Sequence, residues 1–299
     1  MPSEVPKISI VIPAFNAAST LENSIRSLIT QNYPNLELIL ADGGSQDGTM
    51  EIVQTYKSYF SHIISEPDKG QANALNKGFR LATGDIWGWL CADDELAPGA
   101  LHHFVEIFNT NSNVNLVTGG CRRIFWDGTI VETVPDPNLM QRIAYIDGIE
   151  QPSTLWKADL HRAAGELDES YRYAFDWDWW NRLKAAGANL AITNQILSHY
   201  YFSETNKTST GGNALVAEMY RVIKRYGPLR GYLADIYSFL YHNFDLHGCY
   251  DQPPTCSKLR SRLRDLSLKV LLKLFGAEFI YCYNWNFASK QERGLCWFK

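Results

Sequence analysis

Paired cysteines are missing from this sequence. Its six cysteines (91, 121, 249, 256, 282 and 296) fall at no metal-ligand spacing and make no small-domain disulfide framework, so a structural zinc is disfavoured and reduced thiols are expected. No Gly-x-Gly-x-x-Gly follows the first apolar run, which disfavours a nicotinamide or flavin cofactor. The opening residues MPSEVPKISIVIPAF lack a charged segment followed by an apolar core, so the reading is of a cytoplasmic chain. Repeats and low-complexity tracts are absent. Basic residues are not in excess: the net charge is −4, and residues 1–213 alone carry −10, which excludes a general nucleic-acid binder.

The chain does have enough apolar material for a large core, 45% of 299 residues, with nine Trp and sixteen Tyr. Strand-like apolar runs at Ile8–Ile12, Leu36–Ala41, Ile63–Ile64 and Ile86–Leu90, interrupted at Ser9 and Glu37, alternate with helical patterns near 20–28, after Asp47-Gly48-Thr49, and over Gly70–Ala82. Such β-α-β alternation predicts an α/β fold with a mostly parallel sheet and flanking helices. Ser19-Thr20-Leu21-Glu22 reads as a capping box. Further on, helices are expected at Gly99–Phe108, Lys157–Ala164 and Asp176–Ala186, strands at Asn115–Thr118 and Ala191–Leu197, and a hairpin around Asp127-Gly128. Beyond Ala214 the pattern is helical, which divides the chain into an α/β domain at 1–213 and a helical C-terminal region at 214–299.

Four constellations carry chemistry. Asp42 ends the second strand before two glycines, where a carboxylate can accept an N–H from a ligand edge or simply satisfy its own turn. Asp93 and Asp94 follow the fourth strand; adjacent carboxylates repel and lose hydration unless a cation joins them, the other reading being that one of them caps the next helix. Asp176 and Asp178 lie at the start of a helix crowded with aromatics, where partial desolvation suits a general base, while Arg182 stands four residues from Asp178 for an ion pair. Asp68-Lys69-Gly70 precedes a helix start that favours an anion, or makes an ordinary turn. Trp87, Trp89, Trp177 and Trp179 are available for stacking on a ring-shaped ligand, with core packing the stronger expectation.

IPAFN (Ile12–Asn16), ADGGSQDGT (Ala41–Thr49), SEPDKGQANALNKG (Ser65–Gly78), ATGDIWGWLCADDEL (Ala82–Leu96) and DESYRYAFDWDWWNRL (Asp168–Leu183), in that order, resemble inverting family-2 glycosyltransferases of the Rossmann-like GT-A fold over about two-thirds of the chain. The resemblance implies that Asp42 holds the nucleobase with Pro13, Ala14 and Phe15 lining its pocket, and that Asp68, Gly70 and Asn76 border the nucleotide-sugar site. By the same resemblance Asp94 is a ligand for Mg²⁺ or Mn²⁺, Asp93 lies nearer the ribose or sugar, and Asp176 is the catalytic base. Gln151 and Trp177 would face the acceptor, and Lys207 would approach the diphosphate. Departures are Phe175, where many relatives have Glu, and the segment YYFSETNKT, which lacks a His beside the metal and offers Glu204 and, further back, His199. The implied partners are a nucleotide-sugar donor, expected to be a UDP-sugar, and a glycan or lipid-linked acceptor. Two other readings fit the same residues: a sugar-nucleotide or glycan-binding protein without turnover, and a nucleotidyltransferase, which the absence of a glycine-rich phosphate loop in IPAFNAAST disfavours.

The tail differs in charge from the body. Residues 258–299 carry +6, and within 258–275 Leu259, Leu263, Leu266, Val270 and Leu274 share one helical face while Arg262, Asp265, Lys269 and Lys273 share another. A basic amphipathic helix of this kind suits a peripheral position on an anionic membrane surface, at the inner face of the cell membrane, or packing on the catalytic domain. Lys269, Lys273 and Glu278 interrupt its apolar run, so it is not a spanning segment.

Overall fold

The computed structural model describes residues 5–144, 147–203 and 206–227, with isolated helical positions between 232 and 274. The chain divides into two compact units, one of residues 1–137 and 149–204, the other of residues 138–148 and 205–299.

The first unit is built on one mixed sheet. Its strands are β1 (Ile8–Ala14), β2 (Leu36–Asp42), β3 (Phe60–Ser65), β4 (Ile86–Trp89), β5 (Asp94–Leu96), β6 (Leu116–Ile124), β7 (Ile130–Thr133), β8 (Thr154–Lys157) and β9 (Leu190–Tyr201). Their order is β3-β2-β1-β4-β8-β6-β9-β5, with β7 on β6. The first four strands are mutually parallel, whereas β8 runs antiparallel to both β4 and β6. The helices are α1 (Leu21–Ile29), α2 (Thr49–Thr55), α3 (Gln71–Phe79), α4 (Ala100–Thr110), a short α5 (Leu139–Arg142) in the second unit, α6 (Ala158–Ala164) and α7 (Phe175–Ala185).

The alternation Ile86-Trp87-Gly88-Trp89-Leu90 shows how the sheet is covered. Ile86 and Leu90 join an aliphatic core with Ile8, Ile10 and Ile12 of β1, Ile25 and Leu28 of α1, and Phe104 of α4. Trp87 and Trp89 leave the other face into an aromatic layer with Phe79, Trp156, His161, Phe175 and Trp180 from α3, β8, α6 and α7. A run that is apolar throughout is what a strand covered on both sides requires. Gly78 of α3 fits this packing closely, since a Cβ there would collide with the Val11 side chain.

Away from the ligand edge, Glu37 ties β2 to its neighbours. Its buried carboxylate accepts the Thr83 N–H (2.8 Å) and Thr83 hydroxyl (2.7 Å), together with Ser9 and Lys7. Burial raises its pKa, but these donors outweigh burial and bring it down to about 2.

The capping box does not form. The residue before α1 is Thr20, one later than the motif needs, and its side chain makes no cap; Glu22 accepts the Tyr56 hydroxyl instead (2.7 Å). The hairpin around Asp127-Gly128 is present as β6–β7, with Gly128 at φ +83°. In the second unit, α8 (Lys207–Thr210) and α9 (Gly212–Tyr226) follow, with Leu215, Met219, Val222 and Ile223 buried along one side of α9.

Candidate active site

Because β1 to β4 are parallel, the segments leaving their carboxyl ends emerge on one edge. The chain runs from β1 outward through β2 and β3, then returns to place β4 on the other side of β1. That reversal makes the β1–β4 edge a topological switch point, where open α/β sheets take their ligands.

The β1 and β2 ends supply one half of the site. Pro13 and Ala14 are buried in the strand end, while the ring of Phe15 is 65% exposed. Gly43 donates its N–H to Ala14 O (2.9 Å), and a Cβ on Gly43 would lie 2.5 Å from Asp68 Oδ2 and 3.2 Å from Phe15 Cδ2. Phe15, Gly43 and Asp68 therefore meet. Asp68 also accepts the Gly70 N–H (2.7 Å), fixing the turn into α3, where Gly70 sits at φ +120° with nothing within 4 Å of the place a Cβ would take. Asp42 is 2% exposed, and its carboxylate accepts Gly44 N–H (3.1 Å), Ser45 N–H (3.2 Å) and the Ser65 hydroxyl (2.7 Å), as well as the Ser45 hydroxyl. The loop after β2 and Ser65 at the end of β3 thus hold this carboxylate.

The acidic pair follows β4 in a tight turn, in which Asp94 N–H donates to Cys91 O (3.1 Å). Asp94 is 1% exposed, and among the described residues neither of its carboxylate oxygens has a hydrogen-bond partner. Burial first, then the charge of Asp93, pushes its pKa well above the usual carboxylate range; the main chain of Tyr201, outside hydrogen-bonding geometry, offsets this only in part. Asp93 is raised as well, by burial. One oxygen from each, together with Cys91 Sγ, lie within 4.8 Å of one another. Buried oxygens without donors are costly as charges, and a divalent cation is the chemical group that relieves both. The residues fit a cation.

The thiol of Cys91 links this turn to two other elements. Gln71 at the start of α3 donates to Sγ (3.2 Å), and Sγ donates to Gln151 Oε1 (3.5 Å), whose amide in turn donates to Trp89 O (2.7 Å). Gln151 is thereby placed beside the end of β4. Neither Cys91 nor Gln71 stands out among the residues read in order; the available signal is the position of Cys91 two residues before Asp93.

Asp176 occupies the first turn of α7 and is partly buried, its Oδ1 accepting the Trp177 N–H (2.7 Å). Asp178 is wholly buried and ion-paired with Arg182 (2.9 Å), as its spacing predicts. Of the two acids, Asp176 is the one with solvent access. Its neighbour Phe175 packs against Trp89 (ring centroids 6.2 Å apart), which sets the start of α7 beside the strand that leads to the acidic turn.

Several of the expected residues sit inside the fold. Trp177 is 1% exposed and belongs to the core, so its ring does not face an acceptor; Trp87, Trp89 and Trp179 are buried likewise, because the sheet face they cover is closed by α3, α6 and α7. Asn76 is 1% exposed, and its amide donates to Leu167 O (3.0 Å) and Glu169 Oε1 (2.9 Å) and accepts Leu167 N–H (2.9 Å), which pins the segment leading into α7. His199 pairs with Glu95 across β5–β9, where Asp94 pairs with Tyr200, so the histidine and Asp94 leave opposite faces of the sheet. Glu204 lies outside the described residues. Lys207 begins α8 in the second unit, after the cap Asn206, which accepts Ser209 N–H (3.1 Å).

Residues 9–157 match the family model described as glycosyl transferase family 2. The chain belongs to glycosyl transferase family 2. This glycosyltransferase is 26% identical over 220 residues to an uncharacterized glycosyltransferase of Rickettsia typhi, covering 70% of this chain and 68% of that one. It is 31% identical over 121 residues to the poly-beta-1,6-N-acetyl-D-glucosamine synthase of Staphylococcus epidermidis, covering 40% of this chain and 29% of the relative. Among solved structures it resembles S. aureus TarS 1-349 in complex with UDP-GlcNAc (TM-score 0.60, 15% identity, 97% of this chain and 84% of that one). It also resembles the mannosyltransferase PcManGT of Pyrobaculum calidifontis in complex with GDP-Man and Mn²⁺ (TM-score 0.60, 16% identity, 97% and 88%). The glycosyltransferase thus has the GT-A fold, and a nucleotidyltransferase reading is set aside.

Proposed function

We propose that the chain moves a sugar from a nucleoside-diphosphate donor, a UDP-sugar, to a hydroxyl of a growing polysaccharide or glycolipid, with inversion at the anomeric carbon. The observation that carries this reading is Asp94, a buried carboxylate with no hydrogen-bond partner among the described residues, beside a second acid at the ligand edge of the sheet. Asp93 and Asp94 would hold Mg²⁺ or Mn²⁺, whose chemistry is to neutralise a diphosphate as it leaves. Phe15 offers an exposed ring for the base, while Asp68 and Gly70 form the turn beside it. Asp176 takes the proton of the incoming hydroxyl, since it stands at a helix start and reaches solvent. One protein acid suffices because the leaving group needs a cation rather than a proton, unlike the pair a hydrolase uses. The TarS and PcManGT complexes support a nucleotide sugar as donor class, and the S. epidermidis synthase supports a polysaccharide product.

Incubation with a panel of UDP- and GDP-sugars and Mn²⁺, followed by release of nucleoside diphosphate, tests the reading. Mn²⁺-dependent release of UDP supports it. Binding of UDP-sugars with no release under any acceptor favours a binding protein without turnover, and no nucleotide binding at all overturns both.

The tail bears on where the acceptor is met. Leu259, Leu263, Leu266, Val270 and Leu274 are helical positions that are 46–68% exposed, and Arg262 and Lys273 are exposed with them. This supports docking on an anionic membrane surface, where a lipid-linked acceptor would be found. Among the described residues no helix is long and apolar enough to cross a membrane.

A further inference from the structure

The cation site proposed above has a neighbour that its acids do not explain. We propose that Cys91 is a third protein donor to that site and makes it prefer zinc and cadmium over magnesium and manganese; the inference rests on the reading of Asp93 and Asp94 as cation ligands. Cys91 Sγ and the two carboxylate oxygens lie within 4.8 Å of one another. A sulfur at about 2.3 Å and an oxygen at about 2.1 Å from one ion stand at most the sum of those lengths apart, so side-chain shifts of about an ångström close the three on one ion. The backbone that carries the thiol is fixed: Cys91 O accepts both Asp94 N–H (3.1 Å) and the Ser24 hydroxyl (3.1 Å).

The surroundings of the thiol also favour ligation. Cys91 is half-buried rather than sealed; Gln71 Nε2 donates to its sulfur (3.2 Å), which favours an anionic sulfur, and the sulfur's own hydrogen bond to Gln151 Oε1 (3.5 Å) is given up on ligation. Cys121, by contrast, is fully buried, and burial pushes its thiol far up. The independent sign that a cation belongs here is Asp94, whose two oxygens are buried and have no hydrogen-bond partner among the described residues. On binding, the sulfur–metal bond forms as the thiol proton passes to water, so no redox partner is needed. Carboxylate oxygens suit magnesium and manganese, whereas a thiolate adds affinity for softer ions. A zinc ion would then compete with the working cation, and its availability would regulate transfer.

The full-length chain, reduced with a phosphine, is titrated with Cd²⁺ while the sulfur-to-cadmium charge-transfer band is followed, and Mn²⁺ binding is measured separately by its paramagnetic signal. The expected result is a band that excess Mn²⁺ displaces and that Cys91→Ser loses, with Cd²⁺ affinity at this site falling about 100-fold and Mn²⁺ affinity by about threefold or less. Equal Cd²⁺ affinity in native and variant chains overturns the inference while leaving the cation site standing. Failure of the native chain to bind Mn²⁺ in the presence of UDP overturns the cation site itself. If Cys91→Ser does not fold, displacement in the native chain decides: a cadmium–sulfur band indifferent to Mn²⁺ belongs to other cysteines and sinks the proposal.

Discussion

Trp156 donates its indole N–H to Nδ1 of His161 (3.3 Å) in the aromatic layer on one face of the sheet, so this histidine is held as a neutral acceptor. Burial first, then the charges of Arg182 and Arg162, lower its pKa to about 3. The unfolded chain takes up a proton near pH 6.5, the folded one near 3, so this contribution to stability is full above pH 6.5 and is lost as pH falls below it. At pH 5 the loss is about 2 kcal/mol. Denaturant melts at about pH 7.5 and 5 check this, with His161→Asn, which keeps an acceptor but cannot titrate, expected to flatten the pH dependence. An unchanged slope in that variant contradicts the assignment.

Gly43 is where the nucleotide half of the site is most sensitive. A methyl there would press on Asp68 and on the ring of Phe15 together. Gly43→Ala is expected to weaken UDP binding about tenfold or more while shifting stability by about 1 kcal/mol or less, because the clash falls on an exposed ring and a turn carboxylate rather than on the core. Calorimetric titration with UDP measures the first and a thermal melt the second. Native-like affinity would remove Phe15 and Asp68 from the pocket.

Much of this architecture is legible in the residues alone, and the exceptions have physical causes. The parallel half of the sheet can be read because Ile8–Ile12 and Leu36–Ala41 are apolar except for Ser9 and Glu37, which pair with each other, as suits strands covered on both faces. Strand β8, at the centre of the sheet, cannot: Thr154–Lys157 is short, and its pairing to β4 and β6 is antiparallel and non-local, which no local pattern records. The carboxylates are visible as residue types, but Asn76, which the resemblance places at the nucleotide-sugar site, and Trp177 are buried inside the fold, and residue type does not show which way a side chain turns. Only the register of Asp94 against Tyr200, and of Glu95 against His199, shows which face each side chain takes.

Asn76 separates a positioning role from a ligand-lining one. Replacing it with Ala strands the Leu167 N–H and carbonyl and leaves the Glu169 carboxylate with the Asn73 amide (3.0 Å). Asn76→Ala is expected to cost about 2–3 kcal/mol of stability in a denaturant melt, with UDP affinity held within about twofold. A loss of nucleotide affinity without a loss of stability would return Asn76 to the sugar site.

The exposed leucine face predicts lipid binding that depends on both apolar contact and charge. Full-length chain should float with vesicles containing phosphatidylserine and not with neutral phosphatidylcholine vesicles, and the double substitution Leu263→Glu with Leu266→Glu should abolish flotation. Flotation of that variant equal to the native chain would contradict a membrane role for this helix.

Asp176 and Asp178 stand two residues apart on α7, one half-buried and the other wholly buried against Arg182. The most direct measurement of the whole account compares Asp176→Asn with Asp178→Asn for UDP release, UDP affinity and melting. The account predicts that Asp176→Asn lowers kcat by about a thousandfold with UDP affinity and melting temperature nearly native, while Asp178→Asn chiefly costs about 3 kcal/mol of stability. Turnover by Asp176→Asn within about tenfold of native would contradict it.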